Sequence, residues 1–341
     1  MLSRNTKSGL LRKPLNGVNR QIIAFASILC LLIIGIASAA FAAAYNGECW
    51  VVNGGSSLIV RIIPATGEID LNNMIDLNPA PPADYAVVNP RDGALWVALS
   101  AANSVFKFNF DGSQPIEIKF TGSQTPRSIS IDTTDGSAWV GTDSGVFKVS
   151  ADGKTKKQVA STGDEARVSV NIADSSCWVA DSSGKVMKYS KTGQKLLDAS
   201  LTKALTEPKY IAVNSTTGNV WVADSQAGIL VKLDANGKEL LRTTEVGMPV
   251  SPSVNFKTGD LWVADAKNFQ IVKISANGKV SKTIPGFTFP ASVSVNSKTG
   301  DVWVADQFAN SVTKIPANGQ PVSVPGFTLP ISVSVGYWEE K

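Results

Sequence analysis

An octapeptide recurs in this chain at a fixed distance. It reads "TGNVWVAD" at residues 217–224, "TGDLWVAD" at 258–265 and "TGDVWVAD" at 299–306. Tryptophan recurs with it, and successive positions are 39 to 46 residues apart: Trp50, Trp96, Trp139, Trp178, Trp221, Trp262 and Trp303. A period near 40 residues indicates repeated copies of one supersecondary unit, as in a propeller or a solenoid.

Each repeat contains four short apolar segments. In the last repeat they read "ASVSVN", "DVWVAD", "SVTKI" and "VSVPGF". Four short strands joined by turns are typical of a propeller blade. The third and fourth strands are joined by "DANGK", "SANGK" and "PANGQ", where we expect Asn-Gly to supply the positive φ angles of a tight hairpin. After the first 44 residues, helical periodicity is absent, so we predict an all-β fold.

The two ends of the repeat region complement each other. Trp50 lies in a second strand that no first strand precedes, whereas residues 331–335 read as a first strand that no complete blade follows. We predict that this C-terminal strand pairs with the N-terminal blade, because a closed ring has no exposed sheet edge. The result is a seven-bladed β-propeller of four-stranded blades. Trp338 lies outside the repeat register, and we assign it no role.

The tryptophan strands predict the core. Alternation places Trp303 and Ala305 on one face of the strand, and both faces are buried because blades stack face to face. One basic residue recurs in the third strand of every blade: Arg61, Lys107, Lys148, Lys188, Lys232, Lys273 and Lys314. Its spacing predicts that it lies opposite the tryptophan and covers the indole. Recurrence in every blade favours a structural role over a binding stripe.

Carboxylates end the second strand of four blades, at Asp181, Asp224, Asp265 and Asp306, where blades 1 to 3 have Asn53, Leu99 and Thr142. Such a set has two interpretations, a metal site or turn residues that accept backbone N–H groups. Equivalent positions on separate blades diverge from the ring axis. We therefore expect turn roles, with no metal and no cofactor.

The first 44 residues have a different composition. Five cations precede residue 21, at Arg4, Lys7, Arg12, Lys13 and Arg20, and residues 21–47 carry no charge. We predict a hydrophobic leader helix over residues 1–44, acting as a signal peptide or signal anchor, and a propeller domain over 45–341. The small residues Ala42 and Ala44 favour cleavage, which gives a secreted, periplasmic or cell-surface protein. An uncleaved leader would anchor the chain and would be its one membrane contact.

The charge excludes a nucleic-acid-binding protein, and the positions of the cysteines exclude a disulfide between them. Beyond residue 20 the chain has 27 basic and 28 acidic residues, so no basic surplus supports nucleic-acid binding. Cys49 and Cys177 each precede a tryptophan, but in blades 1 and 4, which are not neighbours. We predict that both remain free thiols.

The pattern "P-x-S-V-S-V-N-x-x-T-G-D-V-W-V-A-D", followed by "V-x-K-I-x-A-N-G", resembles the NHL-type repeat propellers over about residues 45–336. The seven-fold count is also similar to the streptogramin lyase group. That resemblance implies a histidine as general base, and this chain has no histidine. Resemblance to lactonase-type propellers would require a metal-binding cluster of carboxylates and amides in the channel, which the first strands do not offer. We therefore assign no catalytic residue.

Two hypotheses about function follow. The first is an extracytoplasmic, non-catalytic binding or scaffold module that presents its channel-mouth face to a ligand or protein partner. The alternative is a propeller enzyme related to streptogramin lyases or lactone hydrolases, with a substituted active site. The missing histidine favours the first hypothesis. Metal analysis of the purified protein distinguishes them, because the enzyme hypothesis expects a bound divalent ion.

Irregular positions of the repeat point to a candidate binding site. Loops that enter the first strands gather around the channel mouth, where binding groups usually lie. Blades 2 to 5 bring Tyr85, Arg127, Arg167, Lys209 and Tyr210 there, whereas blades 6, 7 and 1 bring mostly serine and small apolar residues. These five residues suit an anionic or sugar-like ligand. The alternative is a solvated rim whose cations are neutralised by Asp84, Asp164, Glu165 and Glu207.

Overall fold

The computed structural model describes residues 46–63, 66–162 and 165–337. In these residues 28 strands form seven four-stranded antiparallel sheets, the predicted blades. The expected leader and Trp338 lie outside them. Within the described ranges, no helix has both the length and the apolar character needed to span a bilayer.

The strands follow one another in blade order. Blade 1 contains β1 (Asn46–Asn53), β2 (Leu58–Ile62) and β3 (Ile75–Asp76). Blade 2 contains β4 (Tyr85–Val88), β5 (Leu95–Leu99), β6 (Ser104–Phe108) and β7 (Ile116–Lys119), with a short 3-10 turn at Ser100–Ala102. Blade 3 contains β8 (Pro126–Ile131), β9 (Ala138–Thr142), β10 (Gly145–Val149) and β11 (Lys156–Ser161). Blade 4 contains β12 (Ala166–Asn171), β13 (Ser176–Asp181), β14 (Val186–Tyr189) and β15 (Lys195–Asp198).

The last three blades repeat this order. Blade 5 contains β16 (Pro208–Val213), β17 (Val220–Asp224), β18 (Ile229–Leu233) and β19 (Glu239–Thr243). Blade 6 contains β20 (Pro249–Val254), β21 (Leu261–Asp265), β22 (Gln270–Ile274) and β23 (Val280–Pro285). Blade 7 contains β24 (Pro290–Val295), β25 (Val302–Asp306), β26 (Ser311–Ile315) and β27 (Val322–Pro325). The chain then returns to blade 1 as β28 (Pro330–Tyr337).

Strand β28 closes the ring. The first sheet has the order β28-β1-β2-β3, and Trp50 of β1 lies opposite Ser334 of β28. Blade 1 therefore combines the two ends of the repeat region, and the predicted closure is confirmed. Pairing β28 with β1 removes the free edge that either strand would otherwise expose.

The tryptophans form wedges between blades, as predicted. Trp303 of blade 7 packs in one cluster with Cys49, Val51 and Val60 of blade 1. Five more tryptophans pack in the same way against the following blade: Trp96, Trp139, Trp178, Trp221 and Trp262. Each buries about 150–250 Å², which stabilises the fold by about 4–6 kcal/mol at most.

The recurring cations cover these indoles. All seven align with the tryptophan of their own blade: Arg61, Lys107, Lys148, Lys188, Lys232, Lys273 and Lys314. Their charged groups lie 5.5 to 5.8 Å from the indole centroids. Some also bind the next blade, since Nζ of Lys232 donates to the backbone oxygen of Ala276 at 2.5 Å. The structural role predicted for these cations is confirmed.

Serines of the first strands link neighbouring blades. The Ser292 hydroxyl accepts a hydrogen bond from the Val333 N–H of the next blade at 3.2 Å. Seven more bonds of this kind, 2.9 to 3.2 Å long, occur in the described residues, donated by Val88, Val168, Val170, Val213, Val293, Val295 and Val335. Each first strand lies at a sheet edge, so the hydroxyls satisfy N–H groups that its own sheet leaves free. The "SVSV" segments thus serve the fold.

The Asn-Gly turns differ from the expectation in one respect. Gly237 has a φ of 80° and Gly278 a φ of 87°, but the preceding asparagines do not have positive φ. The Gly237 N–H donates to the Asp234 oxygen at 3.0 Å, and the pairing of β18 with β19 shifts beside this turn. The geometry is a three-residue loop in which glycine supplies a bulge, so one positive φ angle is sufficient.

Both cysteines in the described residues are free and fully buried, as predicted. Cys49 packs between blades 7 and 1, and Cys177 packs between blades 3 and 4. Burial raises the pKa of both thiols, so both stay protonated at neutral pH.

Candidate functional site at the channel mouth

One face of the ring carries two sets of loops, those that enter the first strands and those that join second to third strands. We call it the mouth face. The strand-ending carboxylates hold the two sets together: Asp224 accepts from the Thr206 N–H at 2.6 Å and from the Ala227 N–H at 3.1 Å. Asp306 accepts from Thr288 and Phe289 at 2.8 and 2.7 Å. The predicted turn role is confirmed.

A cavity of about 300 Å³ opens at the centre of the mouth face. The first strands of all seven blades contribute to its lining, so it lies at the mouth of the central channel. All five candidate residues line it: Tyr85, Arg127, Arg167, Lys209 and Tyr210. We call these five residues the charged half of the mouth. The structure brings together what the sequence distributes over 126 positions, while their role in binding stays a prediction.

Three of the five replace a linking serine. Tyr85, Arg167 and Tyr210 occupy the position that Ser292 has in blade 7. At Tyr85 and Arg167 the replacement removes a hydroxyl that would accept an N–H from the next blade, a bond worth about 1 kcal/mol. Beyond Tyr210 the residue in the donor position is Pro252, which has no N–H to satisfy. The local sequence therefore adapts to the exception at Tyr210.

Each cation of the charged half has a carboxylate partner. Arg127 forms a bidentate pair with Asp143, with N–O distances of 2.6 and 2.9 Å. Arg167 pairs with Glu165 and also donates to the backbone oxygen of Arg127. The Lys209 ammonium lies 3.0 Å from Glu207.

The neutralising carboxylates differ in part from the expected set. Glu165 and Glu207 act as predicted, and Asp164 lies outside the described residues. Asp84 accepts from the Ser100 N–H at 2.6 Å rather than pairing with a cation. Sequence reasoning missed Asp143, which directly follows Thr142 in the loop from second to third strand. The available signal was a carboxylate just beyond the strand end. Four other blades have Asp at the strand end itself.

The two phenols are the uncharged groups of the charged half. Burial raises the pKa of Tyr85 and of Tyr210, although Arg167 near both rings acts in the opposite direction. The Arg167 guanidinium lies 5.8 Å from the Tyr210 ring centroid. No hydrogen bond is made by either hydroxyl within the described part of the chain. Both phenols are therefore neutral at physiological pH and able to donate and accept a hydrogen bond.

Of the ion pairs at the mouth, Arg127–Asp143 is held most firmly, because two hydrogen bonds join its charged groups. Its two hydrogen bonds, and the nearby carboxylates of Glu165 and Asp84, raise the pKa of Arg127. The charges nevertheless balance closely, because three cations meet the four carboxylates Asp84, Asp143, Glu165 and Glu207. This arrangement offers paired donors and acceptors rather than a positive surface.

The other half of the mouth face carries apolar side chains that sequence reasoning missed. Blades 6, 7 and 1 place Phe269, Phe289, Phe308 and Leu329 in the loops of this face, and we call them the aromatic half. Phe269 is 50 % exposed, Phe308 58 % and Leu329 37 %. A second cavity, of about 530 Å³, lies between this half and Tyr210. The available signal was a phenylalanine in "AKNFQ" and "QFANS", where blade 5 has "SQAGI".

Comparisons with known proteins agree on the fold. No protein-family model and no curated protein matches this sequence. Among solved structures, a streptogramin B lyase has a TM-score of 0.64 at 16 % identity, covering 74 % of this chain and 86 % of that one. A functionally unknown protein from Desulfotomaculum acetoxidans has a TM-score of 0.67 at 14 % identity, covering 86 % and 100 %. A chain of a nidogen/laminin complex has a TM-score of 0.59 at 14 % identity, covering 85 % and 98 %.

These similarities and the seven closed blades define the class of fold: a seven-bladed β-propeller, similar in fold to the streptogramin B lyase. The resemblance drawn from the repeat motif is confirmed at the level of the fold. Identity of 14 to 16 % is too low for the likeness to carry an activity.

Proposed function

We propose that this protein is an exported, non-catalytic binding module, and that the charged half of its mouth binds a sugar-like ligand. One observation carries the proposal. Tyr85, Arg167 and Tyr210 each replace a serine that links blades elsewhere, and all three line the same 300 Å³ cavity. Two of these replacements remove a stabilising bond and all three converge on one cavity, which favours a role outside folding.

The ligand class follows from the charges. Each cation at the mouth is already paired, so a small anion would have to compete with Asp143, Glu165 or Glu207 for its partner. A sugar hydroxyl both donates and accepts, and it fits beside an existing guanidinium–carboxylate pair without displacing it. The Tyr85 and Tyr210 rings add apolar faces against which a pyranose ring packs. Of the two expected ligand classes, we therefore favour the sugar-like one.

The comparisons are compatible with a binding role and do not select the ligand. One similar fold was solved in a nidogen/laminin complex. The streptogramin B lyase has a similar fold, and the resemblance implies a histidine that this chain lacks. No feature of the described site favours the enzyme alternative.

The test combines two mouth variants with a matched control. In the first, Arg127, Arg167 and Lys209 are changed to alanine together; in the second, Tyr85 and Tyr210 are changed to serine, the residue of the regular repeat. The control removes the exposed Lys154, Lys257 and Lys279 from turns of the opposite face. We expect a glycan array to show binding by wild type and control, and at least ten-fold weaker binding by both mouth variants at unchanged thermal midpoint.

Two outcomes would contradict the proposal. If both mouth variants bind the same glycans as wild type, the charged half is not the site. If wild type binds small anions such as citrate or sulfate and no glycan, the ligand class is wrong even though the location is right.

A further inference from the structure

Three residues of the aromatic half, Phe269, Phe308 and Leu329, expose apolar side chains, whereas Phe289 packs against the core of blades 6 and 7. The Phe289 and Phe308 rings lie 5.1 Å apart at 35°, so Phe308 extends the apolar wall of the larger cavity outward from the ring. Hydrogen bonds join the loops of this half. The Phe287 N–H donates to the backbone oxygen of Phe269 at 3.2 Å, and the Leu329 N–H donates to the Asn310 Oδ1 at 2.8 Å. Four exposed or half-buried apolar residues therefore lie on adjoining loops of one face.

Two of these residues adopt a backbone conformation that disfavours them. Phe269 has a φ of 55° and Leu329 a φ of 48°, in the left-handed region. The positions that correspond to Phe269 in blades 2, 5 and 7 hold Asn103, Gly228 and Asn310, which tolerate this conformation better. A bulky side chain that is strained and half exposed gains little from its own fold. Such strain is typical of positions held for binding.

The larger cavity supplies a place for an apolar anchor. Its lining includes Met248, Val250, Phe289 and Ile331, and its volume of about 530 Å³ falls within the usual range for binding pockets. Ser225, Gln226 and Gln307 add a hydroxyl and two amides to the lining. Amide groups donate and accept in the geometry of a peptide backbone.

The charge around the aromatic half excludes two kinds of occupant. The surrounding loops carry three cations, Lys203, Lys209 and Lys267, against the five carboxylates Glu207, Asp224, Glu245, Asp265 and Asp306, so no cationic surplus is available for lipid phosphates or nucleic acid. An apolar surface with amide groups is complementary to an apolar stretch of polypeptide.

We propose that the aromatic half binds a partner protein through an extended segment that inserts an aliphatic or aromatic side chain into the 530 Å³ cavity. Phe269 and Phe308 flank the entering segment, and Gln226 and Gln307 hydrogen-bond its backbone. Lys209 and Tyr210 line this cavity as well as the smaller one, but the proposal does not require a sugar-like ligand in the charged half.

Selection from a random dodecapeptide phage library on the full chain tests the proposal. Counter-selection uses the double variant Phe269→Asn/Phe308→Ala, and enriched peptides are then synthesised and titrated by fluorescence anisotropy. We expect enriched sequences to share an aliphatic or aromatic anchor and to bind the double variant at least ten-fold more weakly. The control variants are Leu196→Ser and Val322→Ser, which change exposed apolar residues on outer strands. We expect both to leave peptide binding unchanged.

The variant Phe269→Asn separates binding from folding. Asparagine suits the left-handed position, so we expect a higher thermal midpoint together with weaker peptide binding. If Phe269→Asn lowers both the thermal midpoint and the affinity for peptide, Phe269 is merely structural and its assignment to binding is overturned.

Three further outcomes would overturn the proposal. One is that no peptide is enriched over the double variant. Another is that vesicles of phosphatidylcholine and phosphatidylserine bind the wild-type chain more strongly than the double variant. The third is a dimer of the wild-type chain that the double variant does not form, which would identify a second copy as the occupant.

Discussion

The charged and aromatic halves of the mouth face are built on the same blades, yet they depart from the repeat in different elements. In the charged half the exceptions lie within first strands, where Tyr85, Arg167 and Tyr210 replace serines that link blades elsewhere. In the aromatic half the serines remain, as Ser292 and its bond to Val333 show, and the exceptions lie in loops. The charged half lacks hydrogen bonds that link blades elsewhere, and the aromatic half contains strained backbone.

This difference shows how a repeat fold accommodates function. Strand positions project into the channel, so exceptions there shape a polar cavity shared by the whole ring. Loop positions project outward, so exceptions there form a surface for a larger partner. Neither kind is favoured by folding stability alone, which is why irregularity is informative in a chain whose core is so regular.

The largest effect is expected when the ring that supports both halves is opened. Removing residues 330–341 deletes β28, and with it the partner of β1 and the wall residue Ile331. We expect aggregation, or a fall of more than about 10 °C in thermal midpoint, because the edge of β1 becomes exposed. Differential scanning calorimetry and light scattering measure both. A truncated chain that melts like the full one would show that closure does not stabilise the ring.

A second prediction concerns the core beneath the two halves. Trp178 lies under the charged half and Trp303 under the aromatic half. Replacing either one with alanine leaves a cavity between blades. We expect both to lower the free energy of unfolding by about 3–5 kcal/mol, and by similar amounts. Urea denaturation measures this. A large difference between them would mean that the halves differ in their cores as well as on their surfaces.

A smaller effect separates serines that link blades from one that does not. The Ser292 hydroxyl accepts from Val333, whereas the Ser332 hydroxyl is buried without a partner in the described residues. We expect Ser292→Ala to cost about 1 kcal/mol of unfolding free energy and Ser332→Ala to be neutral or slightly stabilising. Equal losses, measured by urea denaturation, would refute the interpretation of serine as an inter-blade link.

The smallest effect is a pH dependence to which the two phenols of the charged half contribute. Burial raises the pKa of Tyr85 and Tyr210, so the folded state holds both phenols neutral above the pH at which an unfolded tyrosine ionises, about 10. Their contribution to stability is complete below that pH and is lost as the pH rises through the raised pKa values. Tyrosinate absorbance should show delayed ionisation that the double variant Tyr85→Phe/Tyr210→Phe reduces but does not abolish, because burial also raises the pKa of Tyr189 on β14. The control Phe308→Ala should titrate like wild type, and a double variant that shows as much delayed ionisation as wild type would contradict the prediction.

Much of the site was accessible from the sequence because the repeat supplies its own alignment. Once the tryptophans set the register, Arg127 and Lys209 stand out as cations at entry positions that hold apolar residues in blades 4, 6, 7 and 1. The loops that join second to third strands gave no such signal, since their residues are not periodic. Phe269 and Phe308 were therefore missed, and Asp143 was missed because its loop is shorter than that of the other blades.

By itself the sequence determined the blades, their number, the ring closure, the tryptophan–cation pairs and the two free thiols, because each of these follows from local periodicity and from spacing within one repeat. Only the tertiary structure decided which carboxylate pairs with Arg127, that seven first strands close around one 300 Å³ cavity, and that the phenylalanines of separate loops meet on one face. Ion pairs and cavities depend on distances between atoms of different loops and different blades. Those distances are set by how the blades pack around the ring, which no single repeat encodes.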